Sequence, residues 1–183
     1  MTRNTTSRSL HDLGLAAWFG GTLANAVALN PAAAQAGSAG DKGAVANAGW
    51  DRWTPVNAAA IGAHVVGSLG QLRGNAGRIK GQKRVPSMVV AKTALTAAAL
   101  GVTAYSRSLG KVVDSQNNVP VASGTEPTAA TPPDVAAAQK KLAALQWAVP
   151  ALTGALVVVS SFAGEQERAS EVHQGLLKKV LPA

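Results

Sequence analysis

Five polar residues stand in or beside otherwise apolar stretches: Asp12, Asn25, Asn57, His64 and Lys92. An ionisable or amide side chain there is costly to bury without a partner, so each is a candidate for chemistry or for helix association. His64 admits a proton-relay or cofactor-ligand role, and also the plainer role of a neutral imidazole bonded to a neighbouring helix. A bis-His haem would need a second His facing it at similar depth. His11 sits at the edge of its helix and His173 in the C-terminal tail, so no cofactor is expected. Lys92 can lift its ammonium to lipid headgroups on its four-carbon stem, or pair with Asp12 at the same end of another helix. Asn25 and Asn57 lie at like depth, where two amides can bond across an interface or line a polar cavity.

Nothing else in the chain adds up to a catalytic site. There is no Cys among the 183 residues, which excludes thiolate nucleophiles, disulfides and Cys-ligated metals. HExxH and GxSxG are missing, no carboxylates pair within an apolar stretch, and none of Gly74, Gly77 and Gly81 is followed directly by Lys-Ser or Lys-Thr. The chain therefore reads as a non-enzyme with no metal site. Its formal charge of +8 invites a nucleic-acid partner, but five of the 17 basic residues crowd into RGNAGRIKGQKR without stacking aromatics. That cluster, Arg73, Arg78, Lys80, Lys83 and Arg84, instead suits anionic lipid headgroups.

The elements that would position these residues are membrane helices. Apolar residues make up 47% and charged ones only 14%, well below the roughly 25% charged content usual in soluble domains. Four stretches, about 13–29, 55–72, 87–105 and 142–163, are each long enough to cross a bilayer. The fold expected is an all-α integral membrane four-helix bundle in a bacterial inner membrane, forming a single domain over 1–183 with both termini cytoplasmic. That orientation puts ten of the 17 Lys and Arg inside, most tellingly in the short loop 73–86. It also sets Trp50, Trp53, Tyr105 and Trp147 near the outer ends of the spans, as an aromatic belt requires. A soluble Ala-rich bundle would have no reason to segregate aromatic from basic residues. The first stretch has signal-peptide features, with Arg3, Arg8 and A-x-A spacings. His11, Asp12, Asn25 and Asn30 interrupt it, so it reads as a retained helix.

Between spans, 31–52 carries no periodic pattern and reads as an outer loop. The segment 107–133, rich in Ser, Thr, Pro and Asn, reads as disordered or ordered by a partner. Thr131 in TPPD is a candidate cap for the last helix, which Pro150 should kink or break. The tail 164–183 is amphipathic enough to lie on the inner surface. Small residues at near-helical spacing, Gly20, Gly21 and Ala24 on one helix and Ala59, Ala63 and Gly67 on the next, would let two backbones approach closely.

Three stretches, SLHDLGLAAWFGG, WDRWTPVNAAAIGAH and TPPDVAAAQKKLAALQWAVPALTG, resemble four-span membrane proteins of actinobacteria that have no assigned function. The resemblance implies other membrane subunits as partners, because small proteins of this type serve larger envelope assemblies, including mammalian-cell-entry (Mce) type lipid importers. The function expected is a non-catalytic accessory subunit of an inner-membrane complex for lipid transport. The alternative is a small transporter or hydrophobe-binding protein whose cavity is lined by Asn25, Asn57 and His64.

Overall fold

The computed structural model describes residues 4–76, 85–115 and 119–165. Helix α1 (Thr5–Ala24) passes through a π-helical turn, Asn25–Leu29, and ends in one further α turn, Asn30–Ala33. Helices α2 (Ala39–Gly74), α3 (Val85–Asp114) and α4 (Pro133–Glu165) follow. The chain is all-helical; among the described residues the one extended pairing is an isolated bridge between Val121 and Pro127. Two helices, α3 and α4, are long and apolar enough to cross a membrane. Helices α1 and α2 are diluted by Gly, Ala and polar residues and fall short of that measure.

Several helices run further than expected. Most of 31–52 is the first part of α2 and not a loop. Its start is a capping box: the Ser38 hydroxyl accepts from Asp41 N–H at 3.1 Å, and the Asp41 carboxylate accepts from Ser38 N–H at 3.0 Å. Pro55 lies inside α2, and Thr54 donates to the Trp50 carbonyl at 2.8 Å one turn back. Pro150, expected to kink or break the last helix, is buried within an unbroken α4. Beside it Thr153 donates to the Val149 carbonyl at 2.8 Å.

Of 107–133, expected to be disordered or ordered by a partner, residues up to Asp114 continue α3, and 119–132 is tied to the rest of the chain. Val121 N–H donates to the Ala39 carbonyl at 3.2 Å and Gln139 Nε2 donates to the Ser123 carbonyl at 3.1 Å. Thr131, a candidate cap, instead donates to the Pro120 carbonyl at 2.6 Å and accepts from Thr128 N–H at 2.8 Å. Ser, Thr and Pro mark disorder only when their groups find water, and here they find each other. Of the basic cluster, only Arg73 is described, and it is exposed. Arg78, Lys80, Lys83 and Arg84 lie outside the described residues, as does the tail from 166 onward.

Packing is set by the antiparallel pair α1–α2. The buried residues His11, Gly14, Leu15, Trp18 and Thr22 on α1, and Ala60, His64 and Gly67 on α2, recur at steps of three and four. A Cβ on Gly14 would run into Ala60 O and lie 2.5 Å from His64 N. One on Gly67 would strike His11 N and lie 2.5 Å from Ser7 O. Gly21 faces the Trp53 ring, whereas Gly20 has nothing within 4 Å. Ala24 and Ala59 are exposed and Ala63 half-buried. The close seam therefore shares only Gly21 and Gly67 with the strips expected from small residues. Helices α3 and α4 form the second pair, joined through Val113, Val135 and Ala138. Helix α1 rests on α4, and α2 and α3 scarcely approach each other. At mid-height Trp18, Ala60, Ala99 and Val149 close the core.

Gly14→Ala and Gly67→Ala should each cost about 1–3 kcal/mol, the usual range for overpacking, because the added methyl meets backbone atoms. Gly20→Ala and Gly101→Ala, with open space around both, should be neutral or slightly stabilising through helix propensity. Thermal unfolding of the four variants in one detergent measures this, and equal melting temperatures across them would dispose of the seam.

The hydrogen bonds from Ser38 hold the Asp41 carboxyl below its ordinary value of 3.8. A depressed carboxyl stabilises above its unfolded pKa and loses that contribution as pH falls through the folded one. Amide exchange at Lys42 and Gly43, corrected for intrinsic rates, should therefore quicken below about pH 3.8. Ser38→Ala should produce the same fraying at neutral pH.

Candidate functional site

Two polar constellations deserve the name of candidate site, one toward each end of the bundle. The first sits between α1 and α2 on the side of Thr5 and Gly74. His11 and His64, 1% and 0% exposed, meet with ring centroids 4.6 Å apart. Trp18 sets its ring edgewise against His64 at 6.0 Å. His11 was expected at a helix edge, away from His64. Helix α1 already begins at Thr5 and the glycine seam pulls the two backbones together, so the rings touch.

The hydrogen bonds decide what this pair can do. His11 Nδ1–H donates to the Asp12 carboxylate at 2.7 Å. In the neutral ring, His64 Nδ1–H donates to the His11 backbone carbonyl and Nε2 accepts from the Thr96 hydroxyl, both at 3.4 Å. His11 Nε2 has no partner among the described residues. A proton relay would need continuity from ring to ring, and the His64 bond goes to backbone instead. Rings in direct contact also leave no room for a haem between them. The arrangement fits a packed imidazole that tethers α2 to α1 and α3. Asp12 and Lys92 lie near enough for their charges to act on both rings. Among the described residues, no group of three His, Asp or Glu side chains is placed to hold a metal ion.

The second constellation lies at the opposite end. The widened π turn matters here. In an α-helix residues five apart diverge by about 140°, but the wider turn carries both Asn25 and Asn30 to the buried side. Asn30 is 3% exposed and joins three helices. Its Nδ2 donates to Gln146 Oε1 of α4 at 2.9 Å, and its Oδ1 accepts from Trp50 Nε1 of α2 at 3.2 Å. Gly124 of the 119–132 segment packs on the same amide, where a Cβ would stand 2.7 Å from Oδ1. Asn25 Nδ2 and Asn57 Oδ1 each lack a partner among the described residues, so the expected amide pair does not form through those atoms.

Below this hub is a cavity of about 340 Å³, lined chiefly by α2, α3 and α4. Asn57 lines it, but Asn25 and His64 do not. A second cavity of about 380 Å³ lies between α2 and α3 toward the other end, and includes Lys92 and Thr96. Leu100 lines both. Trp50 and Trp53, expected in an interfacial belt, turn into the first cavity, while Tyr105 and Trp147 stay exposed. Sequence reasoning gave Asn30 and Trp53 other roles and passed over Thr103 and Ser106. The available signals were Asn-Pro directly after a polar-interrupted helix, and two hydroxyls three residues apart in α3.

His64→Ala should remove a wholly buried ring and both tethers, costing on the order of 2–5 kcal/mol. His64→Gln, which keeps an amide donor and acceptor, should recover much of that stability. Thermal unfolding of both variants separates packing from chemistry: a stable His64→Gln protein that has lost its cellular activity would make the imidazole functional. Comparison with known protein families, characterised proteins and solved structures yields no match.

Proposed function

We propose that the chain is a non-catalytic accessory subunit of a larger bacterial inner-membrane complex, crossing the membrane four times with both termini cytoplasmic. The observation that carries the membrane placement is how little of its apolar surface the fold covers. Of the most apolar 18 residues of α3 only 6% are buried, and of α4 only 22%. Leu13, Val66, Val90 and Phe162 are each at least 60% exposed, on four different helices. In water such surface would cost about 25 cal/mol per Å², whereas lipid or another subunit covers it without penalty. The accessory role draws on the same faces, on the resemblance in sequence, and on the thin contact between α2 and α3, which leaves one side of the bundle unclosed. Lipid transport is the setting the resemblance suggests. A second reading, a hydrophobe-binding protein or small transporter, has the two cavities between α2 and α3 in its favour.

Because the chain has no Cys, single cysteines report its topology cleanly. Ser38→Cys and Ser115→Cys should react with an impermeant maleimide on intact cells. Thr5→Cys and Ala76→Cys should react only after permeabilisation. Labelling of Thr5→Cys on intact cells would refute the cytoplasmic N-terminus, and labelling of Thr5→Cys and Ser38→Cys from the same side would refute a first span between them. The subunit role is tested by tagging the protein at its own locus and identifying what co-purifies in mild detergent. A stoichiometric membrane partner is expected, and isolation alone or as a homo-oligomer would refute the role.

A further inference from the structure

The hydrogen bonds around His11 and His64 fix where each ring keeps its single proton. The Asp12 carboxylate only accepts, so His11 Nδ1 carries the hydrogen of the 2.7 Å bond between them. The His11 backbone carbonyl only accepts, so His64 Nδ1 carries the hydrogen there. Both Nε2 atoms are therefore bare lone pairs. That of His64 meets the Thr96 hydroxyl, which can give or take a hydrogen. That of His11 is buried and has no partner among the described residues. A second proton on His11 would make an N–H donor with nothing to accept it, on a ring 1% exposed and in contact with its neighbour. A buried donor without an acceptor is costly, and a charged one more so.

The charges around the rings do not remove that cost. On α1, Asp12 favours a cation at His11, but its side chain is 61% exposed and screened by water, and Arg8 opposes it. On α2 the facing group is the His64 ring itself, and on α3 Lys92 opposes a cation on either ring. Among the described residues of α4 the one charged group toward this end is Glu165, at the helix terminus, and its charge acts on neither ring. The seam also leaves the His11 ring no way to withdraw alone, because Gly67 already lies against the His11 backbone. The far end of α1 is fastened separately, by the Asn30 amide to Gln146 and Trp50.

We infer that His11 is a proton-triggered latch: acid at the end of the bundle marked by Thr5 and Gly74 parts α1 from α2 there, while the Asn30 end stays closed. Once the helices part, water reaches Nε2 and the imidazole takes its proton at the ordinary value of about 6.5. The closed seam refuses that proton. The ratio of parted to closed molecules therefore rises about tenfold for each pH unit below that value, with one proton taken up per opening. Well above it the ratio is independent of pH. His64 is not the latch, because the Thr96 hydroxyl can turn to accept from a protonated Nε2. The latch acts within this chain alone. Only the compartment whose acidity it reads rests on the membrane placement, which cysteine labelling tests separately.

The test uses the full chain in phosphatidylcholine nanodiscs, where buffer reaches both faces, from about pH 8 to about pH 5. That range stays above the one in which the Asp41 cap loosens. No native Cys competes, so nitroxide labels on Thr6→Cys and Arg73→Cys, both exposed, read the separation of α1 and α2 at the latch. Labels on the exposed pair Ala32→Cys and Ala48→Cys read the other end as a control. Pulsed electron resonance should show a second, longer distance for the first pair. Its ratio to the shorter one should climb about tenfold per unit below about pH 6.5, with the control distance unchanged. His11→Gln should abolish the pH dependence and His64→Gln should keep it. If His11→Gln does not fold, His11→Leu takes its place, since it leaves only the exposed Asp12 carboxylate unbonded. A first-pair distance that ignores pH, or a control pair that widens alongside it, overturns the latch. So does a slope that survives the loss of His11, or one that disappears in His64→Gln.

Discussion

The close approach of α1 to α2 at Gly14 and Gly67 is the constraint on which the remaining architecture depends. Each glycine receives the backbone of the opposite helix beside a large buried residue, so His11, Trp18 and His64 fill the seam that the glycines open. Both helices are rich in Ala and Gly, so their contact draws little on large apolar side chains and comes from van der Waals fit and hydrogen bonds. A backbone-to-backbone seam of this kind supplies both. With α1 committed to α2 on one flank and to α4 on another, α2 has no further neighbour along most of its length. The gap beside α3 thus follows from how tightly the first pair closes.

The all-helical class and the approximate positions of the four helices were legible in the sequence because apolar runs and charge segregation survive any local detail. The interfaces were not. In a chain this rich in Ala and Gly, smallness marks every face alike, so Gly20, Ala24 and Ala59 were singled out and Gly14 was not. What singles out the true seam is a glycine set opposite a bulky residue of the other helix, and that pairing exists only in three dimensions. The π turn hid the same kind of information. It changes the angular phase of α1 within Asn25–Leu29, so no single helical wheel places Asn30 beside Gln146 and Trp50.

Composition was least informative in the 119–132 segment, where it left disorder and ordering by a partner both open. Its hydroxyls bond to its own backbone and to one another, and Ser123, Thr125 and Thr131 are buried. The aromatic residues divide in a similar way. Tyr105 and Trp147 point outward as their type suggests, whereas Trp50 is recruited by the Asn30 amide and Trp53 by the open face of Gly21. In each case a specific partner, invisible in the residue's own neighbourhood of sequence, overrides the average behaviour of its type. Local preference is a weak prior beside a geometry that offers a bond.

The position of the 119–132 segment decides from which direction the cavity beneath the Asn30 hub can be reached. Gly124 and Thr125 lie over its end, fastened to α1 through the Asn30 amide and to α4 through Gln139. The water-facing approach is thereby roofed by protein, while the flank between α2 and α3 has no helix across it. Whatever enters that space must therefore pass between two helices and not through the segment that covers their ends.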